Sequence, residues 1–535
     1  MKRSHHFLHP HTSAGGFVGG FILMAWSCLA QPKTGDIVFH TDFEGADTLR
    51  TWGAAQNPRV RLAPGFSSTQ SLLVEMPSGA SASSSMHRPL PIDKMRGARL
   101  SCRAMIKADG VSQPPQPWNG IKFMLHITAP GGETWPQQNN VFGTFDWQRV
   151  EFTAVIPADA TAAELILGLE AVTGRAQFDD LTITVAHGPR VRPPLPGTAP
   201  MFTGHTEPRL RGAMISPAIA PESLRVLGQE WKANLIRWQL IRYGPAAKIR
   251  SPAEYDAWLE ESLRKLDAAL PLCKQYGLRV VLDLHSPFGG TPTTSGYVGT
   301  DTGLFTNKAA QDKFVADWER MARRYRDSRV IWGYDLANEP VENEVAEGCD
   351  NWQMLATRAA RAVRASDARH AIMVEPTPWG GPEALDNLEP IPVPGVVYSV
   401  HMYVPHQFTH QGVFSRTDPA VTYPGTIAGK VWDKAALRRV LQPVRDWQRD
   451  YGVQIYLGEF SAIRWAPDDS ARRYLRDCIE LFEEYGWDWS YHAFREWHGW
   501  SVEHGPDKAD IEPSPTQTGR EKLLREWYGK NLKTK

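Results

Sequence analysis

The sequence predicts an α/β chain in two parts, an all-β sandwich followed by a (β/α)8 barrel. Three observations carry this expectation. Over the last 330 or so residues, eight short apolar runs alternate with helical stretches. Before them, residues 36–187 hold many short alternating runs separated by Gly, Pro, Ser and Asn clusters. Between the two lies "HGPRVRPPLPGTAPMFTGHTEP", rich in Pro and Gly and without apolar periodicity.

Taken in order, residues 1–30 read as an export signal. Lys2 and Arg3 supply positive charge, Phe17 to Leu29 is mostly apolar, and Ala30 ends a small-x-small setting, so the mature chain is expected to start at Gln31. The expected location is therefore secreted or periplasmic. Bulky Trp26 argues against a lipid anchor on Cys28. Residues 33–187 form the expected sandwich, with "DIVFHTDFE", "RLSCRAMIKA", "GIKFMLHITA", "WQRVEFTAVIP", "AELILGLEAV" and "AQFDDLTITVA" as strands. Residues 188–208 form the linker and 209–535 the barrel. Its strands are "GAMIS", "NLIRWQ", "RVVLDLH", "VIWGYDLANE", "AIMVE", "VVYSVHMY", "QIYLGEF" and "WSYHAF".

Composition excludes several function classes. The 59 Lys+Arg balance 59 Asp+Glu, which gives no electrostatic basis for binding nucleic acid or an anionic membrane. Past the signal no apolar stretch is long enough to span a bilayer. Cys102, Cys273, Cys349 and Cys478 are scattered, without a CxxC pair, and read as isolated thiols. The 20 Trp exceed what a core needs and suit stacking on the apolar faces of sugars.

In such a barrel the reacting side chains sit where strands end. The strand ends here offer Arg237, then Asp283 and His285, then Asn338 and Glu339, then Glu375, then His401 and Tyr403, then Glu459, and finally Arg495, Glu496 and Trp497. Two carboxylates across a pocket are what glycosidic cleavage requires, one protonated and one ionised. Glu339, Glu375, Glu459 and Glu496 are all candidates, and spacing alone does not choose among them. His401, His406 and His410 match neither HExxH nor a zinc spacing.

"NEP" at the end of the fourth strand and "GEF" at the end of the seventh resemble the signature of glycoside hydrolase family 5, a family of retaining TIM-barrel enzymes. The resemblance spans about residues 209–530. It implies Glu339 as acid/base and Glu459 as nucleophile, with the carboxylates about 5–5.5 Å apart. Asn338 would bond the sugar 2-hydroxyl, Arg237 and Tyr403 would hold Glu459 ionised, and His285 and His401 would line the subsite. Trp332 and Pro340 are expected to give Glu339 an apolar setting. The family's sugar-stacking Trp on the last strand has no obvious equivalent. His492 falls near its position, and Trp497 is taken as the platform.

The N-terminal part, through "FDWQRVEFTAVIPADA" and "AQFDDLTIT", resembles a jelly-roll carbohydrate-binding module. Such modules often hold a structural Ca²⁺ between first and last strands, and Asp42, Glu44, Asp179 and Asp180 supply hard oxygen ligands from those two places. Trp118 and Trp135 are candidate glycan contacts there. The expected function is a secreted retaining endo-β-1,4-glucanase acting as a monomer on a polysaccharide or oligosaccharide, with no cofactor in catalysis. A β-mannanase or an exo-acting β-glucosidase or β-mannosidase are the alternatives, and a non-catalytic glycan binder on a decayed barrel is disfavoured. The long loop 404–432, with Phe408, Phe414, Tyr423 and Trp432, is expected to shape subsites.

Overall fold

The computed structural model describes residues 31–77, 83–116, 118–130, 132–138, 142–189, 201–290, 303–342, 345–414 and 420–531. The export signal read over 1–30 lies outside them, as do residues 190–200 of the Pro-rich connection. The chain divides into two compact units, Met1–Pro189 and Arg190–Lys535. Among the described residues no helix is long and apolar enough to cross a membrane.

The first unit is two antiparallel sheets. One is built from β1 (Ile37–Thr41), β2 (Val60–Ala63), β3 (Ser71–Met76), β5 (Arg99–Val111), β8 (Gly143–Val155) and β10 (Gly174–His187), in the order β2-β3-β10-β5-β8 with β1 beside β10. The other runs β4 (Ser84–Pro89), β9 (Ala162–Glu170), β6 (Gly120–Ala129), β7 (Gly132–Thr134). Alternate residues face inward, as period-two side-chain placement demands. Leu100, Cys102, Ala104 and Ile106 of β5, Phe178, Leu181 and Ile183 of β10, and Phe123, Leu125, Leu165 and Leu167 of the second sheet fill one apolar core.

The second unit is a closed eight-stranded parallel barrel. Its strands are β11 (Arg211–Ile215), β12 (Leu235–Gln239), β13 (Arg279–Asp283), β14 (Ile331–Asp335), β15 (Ala371–Val374), β16 (Val396–Met402), β19 (Ile455–Phe460) and β20 (Asp488–Phe494). The short hairpin β17 (Gly425–Ile427) and β18 (Lys430–Trp432) sits between β16 and β19 in sequence. Helices pack on the outside, among them Pro252–Tyr276, started by Ser251 as cap and ended by Gly277 at φ 74°. One parity of each strand meets these helices, as Val280, Leu282 and Leu284 do on β13 and beyond it. The other parity fills the barrel in layers. The lower layer is apolar, with Leu210, Leu235, Val281, Trp332, Met373, Val397 and Tyr456 in one cluster. The next inward positions are Arg237, Asp283, Asp335, Ser399 and His401, all buried. A polar layer above an apolar plug is therefore written into β12 and β13 two residues at a time, Leu235 to Arg237 and Val281 to Asp283, while β14 and β19 take a three-residue step, Trp332 to Asp335 and Tyr456 to Glu459, where the register shifts.

Two expectations change. Residues 203–207, read as linker, pack onto the barrel: Thr203 accepts the Trp332 indole N–H at 2.9 Å, His205 lies 3.0 Å from Asp488, and Glu207 pairs with Arg279 at 2.6 Å. Trp332 consequently lies in the lower apolar layer and gives Glu339 no apolar wall. The loop after β16 also differs. Phe408 and Tyr423 are fully buried against Tyr474, at 5.4 Å for each pair of ring centres. They are core residues. Phe414, 79% exposed, stacks on His410 instead.

Candidate active site

The polar layer is organised around Arg237. Its guanidinium is fully buried, and one cation meets four carboxylates there: Glu459 at 2.6 Å, Asp335 at 3.0 Å, Glu375 at 3.0 Å and Asp283 at 3.3 Å. Its Nη1 and Nη2 also donate to Asn338 Oδ1, each at 3.2 Å. A planar fork with five donors can serve this many acceptors, where a lysine could not. Burial drives Asp335 well above the usual carboxylate range; Arg237 opposes this, while Glu375 and Asp283 add to it.

Glu459 is held on both oxygens. Arg237 Nη1 donates to Oε1 at 2.6 Å, and the Tyr403 hydroxyl donates to Oε2 at 2.8 Å. Burial alone would raise its pKa, but His401, His492, Arg237 and His285 outweigh it, and the carboxyl sits far below the ordinary range. Glu339 is displaced the other way. Burial raises it, the neighbouring charges of Glu459 and Glu375 raise it further, and the His401 hydrogen bond only partly offsets them.

His401 joins the two. Its Nδ1 is 2.8 Å from Glu339 Oε1 and 3.9 Å from Glu459 Oε2, while its Nε2 lies 3.1 Å from Glu375 Oε1. Burial would discharge this imidazole, yet Glu375 and Glu459 draw it well above the usual histidine range. Two glycines make room for it. A Cβ on Gly458, the glycine of "GEF", would stand 2.8 Å from His401 Nε2 and 2.7 Å from Ser399 Oγ. A Cβ on Gly380 would stand 2.8 Å from Glu375 Oε2, and the Gly380 carbonyl accepts the His401 N–H at 2.8 Å.

Glu375 is fully buried, so it does not face a ligand. Its Oε2 accepts the backbone N–H of Glu339 at 2.8 Å and its carbonyl accepts the Trp352 indole N–H at 2.7 Å. This anchor fixes Glu339, whose φ of 43° is the left-handed backbone found where a site is strained to aim a side chain. Asn338 spends its oxygen on Arg237, while its buried Nδ2 has no hydrogen-bond partner among the described residues. His285 Nδ1 bonds Asp283 at 2.7 Å, which fixes the ring; burial lowers its pKa, but Asp283 more than restores it.

The structure thus brings together Arg237, His285, Asn338, Glu339, His401, Tyr403 and Glu459. Trp497 is not brought to them. Its rings meet Trp465 edge-on at 5.9 Å, Trp500 at 5.6 Å and His498 at 5.5 Å. The β20 side chain at the carboxylates is His492, 3.4 Å from Glu459 Oε2. Asp335 escaped the sequence reading although it lies inside the quoted strand. It is the last residue of β14, and a carboxylate closing an apolar strand was the available signal.

Among the described residues, Glu339, His401 and Glu459 bring ligand atoms within 4.8 Å of one another. A cation placed there would face Arg237, already paired to Glu459, and an imidazole drawn to its charged form, so no metal role is assigned. The four residues expected to hold calcium lie in the first unit. Among the described residues no three of Asp42, Glu44, Asp179 and Asp180 converge to that distance. Asp179 Oδ2 accepts from Phe66 N at 2.7 Å and Ser68 Oγ at 2.8 Å, Glu44 accepts from Thr69 and Gln70, and Asp42 accepts the Glu44 N–H. These carboxylates tie loops together.

Comparison with known proteins follows the same lines. Residues 207–496 match the family model for cellulase (glycosyl hydrolase family 5). The chain is 29% identical over 276 residues to Endoglucanase C of Acetivibrio thermocellus, spanning 45% of this chain and 76% of that protein. It is 24% identical over 245 residues to Cellodextrinase A of Ruminococcus flavefaciens, 44% of this chain and 71% of that one. A crystal structure described as a glycoside hydrolase aligns at 26% identity and a TM-score of 0.48, covering 59% of this chain and 99% of its own. The family match takes in more than half of the 535 residues and includes both strands that carry the paired carboxylates, so the chain is a glycoside hydrolase and belongs to glycosyl hydrolase family 5.

Proposed function

We propose that this enzyme is a retaining, endo-acting β-1,4-glucanase in which Glu459 is the nucleophile and Glu339 the acid/base. One observation carries the reading: Glu339 and Glu459 bring carboxylate oxygens within 4.8 Å of each other while their pKa values are driven in opposite directions. Retaining enzymes place the carboxyl groups about 5–5.5 Å apart, whereas inverting ones leave about 6.5–9.5 Å for a water. Ionised Glu459 attacks the anomeric carbon as the bond to the leaving oxygen breaks, and that oxygen takes the Glu339 proton. Water then attacks the glycosyl ester, gives its proton to Glu339 and frees the Glu459 carboxylate. Asn338 Nδ2, without a partner among the described residues, bonds the sugar 2-hydroxyl in this reading, and His285 Nε2 completes the polar wall.

The substrate follows the relatives, an endoglucanase and a cellodextrinase; mannan remains the second substrate to assay. We further propose that the protein is exported by residues 1–30 and that the first unit is a jelly-roll module binding the same glycan. Trp118 and Trp135 are 58% and 51% exposed there, with Trp135 stacked on His126 at 5.3 Å. The other sheet carries a cavity of about 560 Å³, whose cations Arg61, Lys107 and Arg175 are already paired with Glu75, Asp146 and Asp109, leaving a surface suited to neutral sugar hydroxyls.

Glu459→Ala tests the chemistry. Turnover is abolished, binding survives, and azide restores cleavage with inverted configuration. Substantial activity without azide removes Glu459 from the role. A panel of defined β-glucans and mannans ranks the substrates.

A further inference from the structure

At the last strand the chain carries an imidazole where a flat sugar platform was expected, and the surroundings of that ring have a direction. Tyr403 has one hydroxyl proton, and Glu459 Oε2 takes it at 2.8 Å. His492 Nδ1 contacts the same hydroxyl oxygen. An oxygen already donating its proton can only accept from a second partner, so Nδ1 carries hydrogen and donates to Tyr403. The order is His492 N–H to Tyr403 O–H to Glu459, and each link polarises the next. On its far side His492 Nε2 lies 3.7 Å from Glu496 Oε2. Glu496 is itself held by Gln239 Nε2 at 2.9 Å and the Tyr243 hydroxyl at 3.3 Å. Gln239 is two residues beyond Arg237 on β12, on the same inward parity. One strand thus fixes Glu459 directly and anchors the relay that reaches Glu459 from the other side. Trp500, with ring centres 5.7 Å from His492 and 6.1 Å from Tyr403, packs against both.

We propose that His492, whose Nε2 faces Glu496, is a positioning residue that acts through Tyr403 to orient the Glu459 carboxylate and keep it ionised. The inference rests on Glu459 being the nucleophile. The charged and titratable groups facing Glu459 are Arg237 from β12 and Tyr243 after it, His285 after β13, Glu339 after β14, His401 and Tyr403 from β16 and its end, His410 from the loop beyond, and His492 from β20. Those facing His492 are Glu459, Glu496, Tyr403 and, from the loop after β16, His410. Within this set His492 is one of the groups that lower the Glu459 pKa.

The test uses the full chain, a soluble aryl β-glycoside and pH profiles of kcat and kcat/KM. His492→Asn puts an amide N–H where Nδ1 stood, while His492→Gln puts it near Nε2. The Asn variant is expected to keep most of the rate. The Gln and Leu variants are expected to lose about tenfold to a hundredfold in kcat, the range of a charge-assisted hydrogen bond, with KM little changed. In His492→Leu the acidic limb moves to higher pH, because Glu459 loses a neighbour that favours its charged form. Glu496→Gln combined with His492→Leu should be no worse than His492→Leu alone. Equal rates for the Asn and Gln variants, an unmoved acidic limb, additive losses in the double variant, or a His492→Trp variant with wild-type kcat and lower KM would each overturn the proposal. Azide rescue of Glu459→Ala decides the nucleophile separately, so a rescued Glu459→Ala beside an unmoved His492→Leu profile rejects this inference alone.

Discussion

Arg237 Nη1 lies 2.6 Å from Glu459 Oε1 at the centre of the barrel, and the same guanidinium touches Asp335 and Glu375 at 3.0 Å each. One buried cation therefore sets the charge of the nucleophile candidate and the geometry of the residue that anchors Glu339. Arg237→Lys keeps the charge but loses the fork. The expected result is a fall in kcat of about 10²–10³, the cost of losing a preorganised donor, with the acidic limb of the kcat/KM profile moved to higher pH. Steady-state kinetics across pH 4–8 (about the range in which carboxylates and histidines titrate) checks it.

His401 pulls on both carboxylates in the same direction. It lowers the pKa of Glu459, offsetting burial, and it lowers that of Glu339 against burial. The active form needs Glu459 ionised and Glu339 protonated, which gives a bell-shaped profile. Removing the imidazole charge in His401→Asn raises both values. The acidic and basic limbs should then move together to higher pH. Limbs that move in opposite directions would show that His401 does not act through charge on both groups.

Phe408 distinguishes packing from subsite roles in the loop after β16. It is fully buried against Tyr423 and Tyr474. Phe408→Ala should cost about 3–5 kcal/mol of stability, as for other large-to-small core changes, and lower Tm. The ratio of kcat/KM on long and short oligosaccharides should stay constant where the variant is folded. A selective loss on long substrates would return Phe408 to the subsites.

Trp118 and Trp135 expose their rings on the first unit while that unit's core is complete without them. Trp118→Ala with Trp135→Ala should leave Tm and the rate on soluble oligosaccharides unchanged and weaken retention on insoluble glucan. If retention survives, the cavity bordered by Lys107, Asp109, Asp146 and Arg175 is the next surface to alter, with Gln177→Ala as the probe.

The alternation of short apolar runs such as "RVVLDLH" with helical stretches determined the barrel, because parallel strands need a helical crossover that packs on the sheet. It also placed Asp283 and His285 at one mouth. Glu339 and Glu459 were legible because "NEP" and "GEF" are local: the strand, the glycine that clears His401 and the carboxylate all lie within a few residues. What sequence could not carry were contacts between strands distant in the chain. His492 reaches Glu459 only because β19 and β20 pair, and Glu375 anchors Glu339 only because β14 and β15 do. Trp497 and Phe408 looked like sugar contacts for the opposite reason. Aromatic residues in loops have the same composition whether they face a cleft or a core, and only tertiary packing, which sets half-buried Trp497 edge-on against Trp465 and Trp500 and closes Tyr474 over Phe408, decides which.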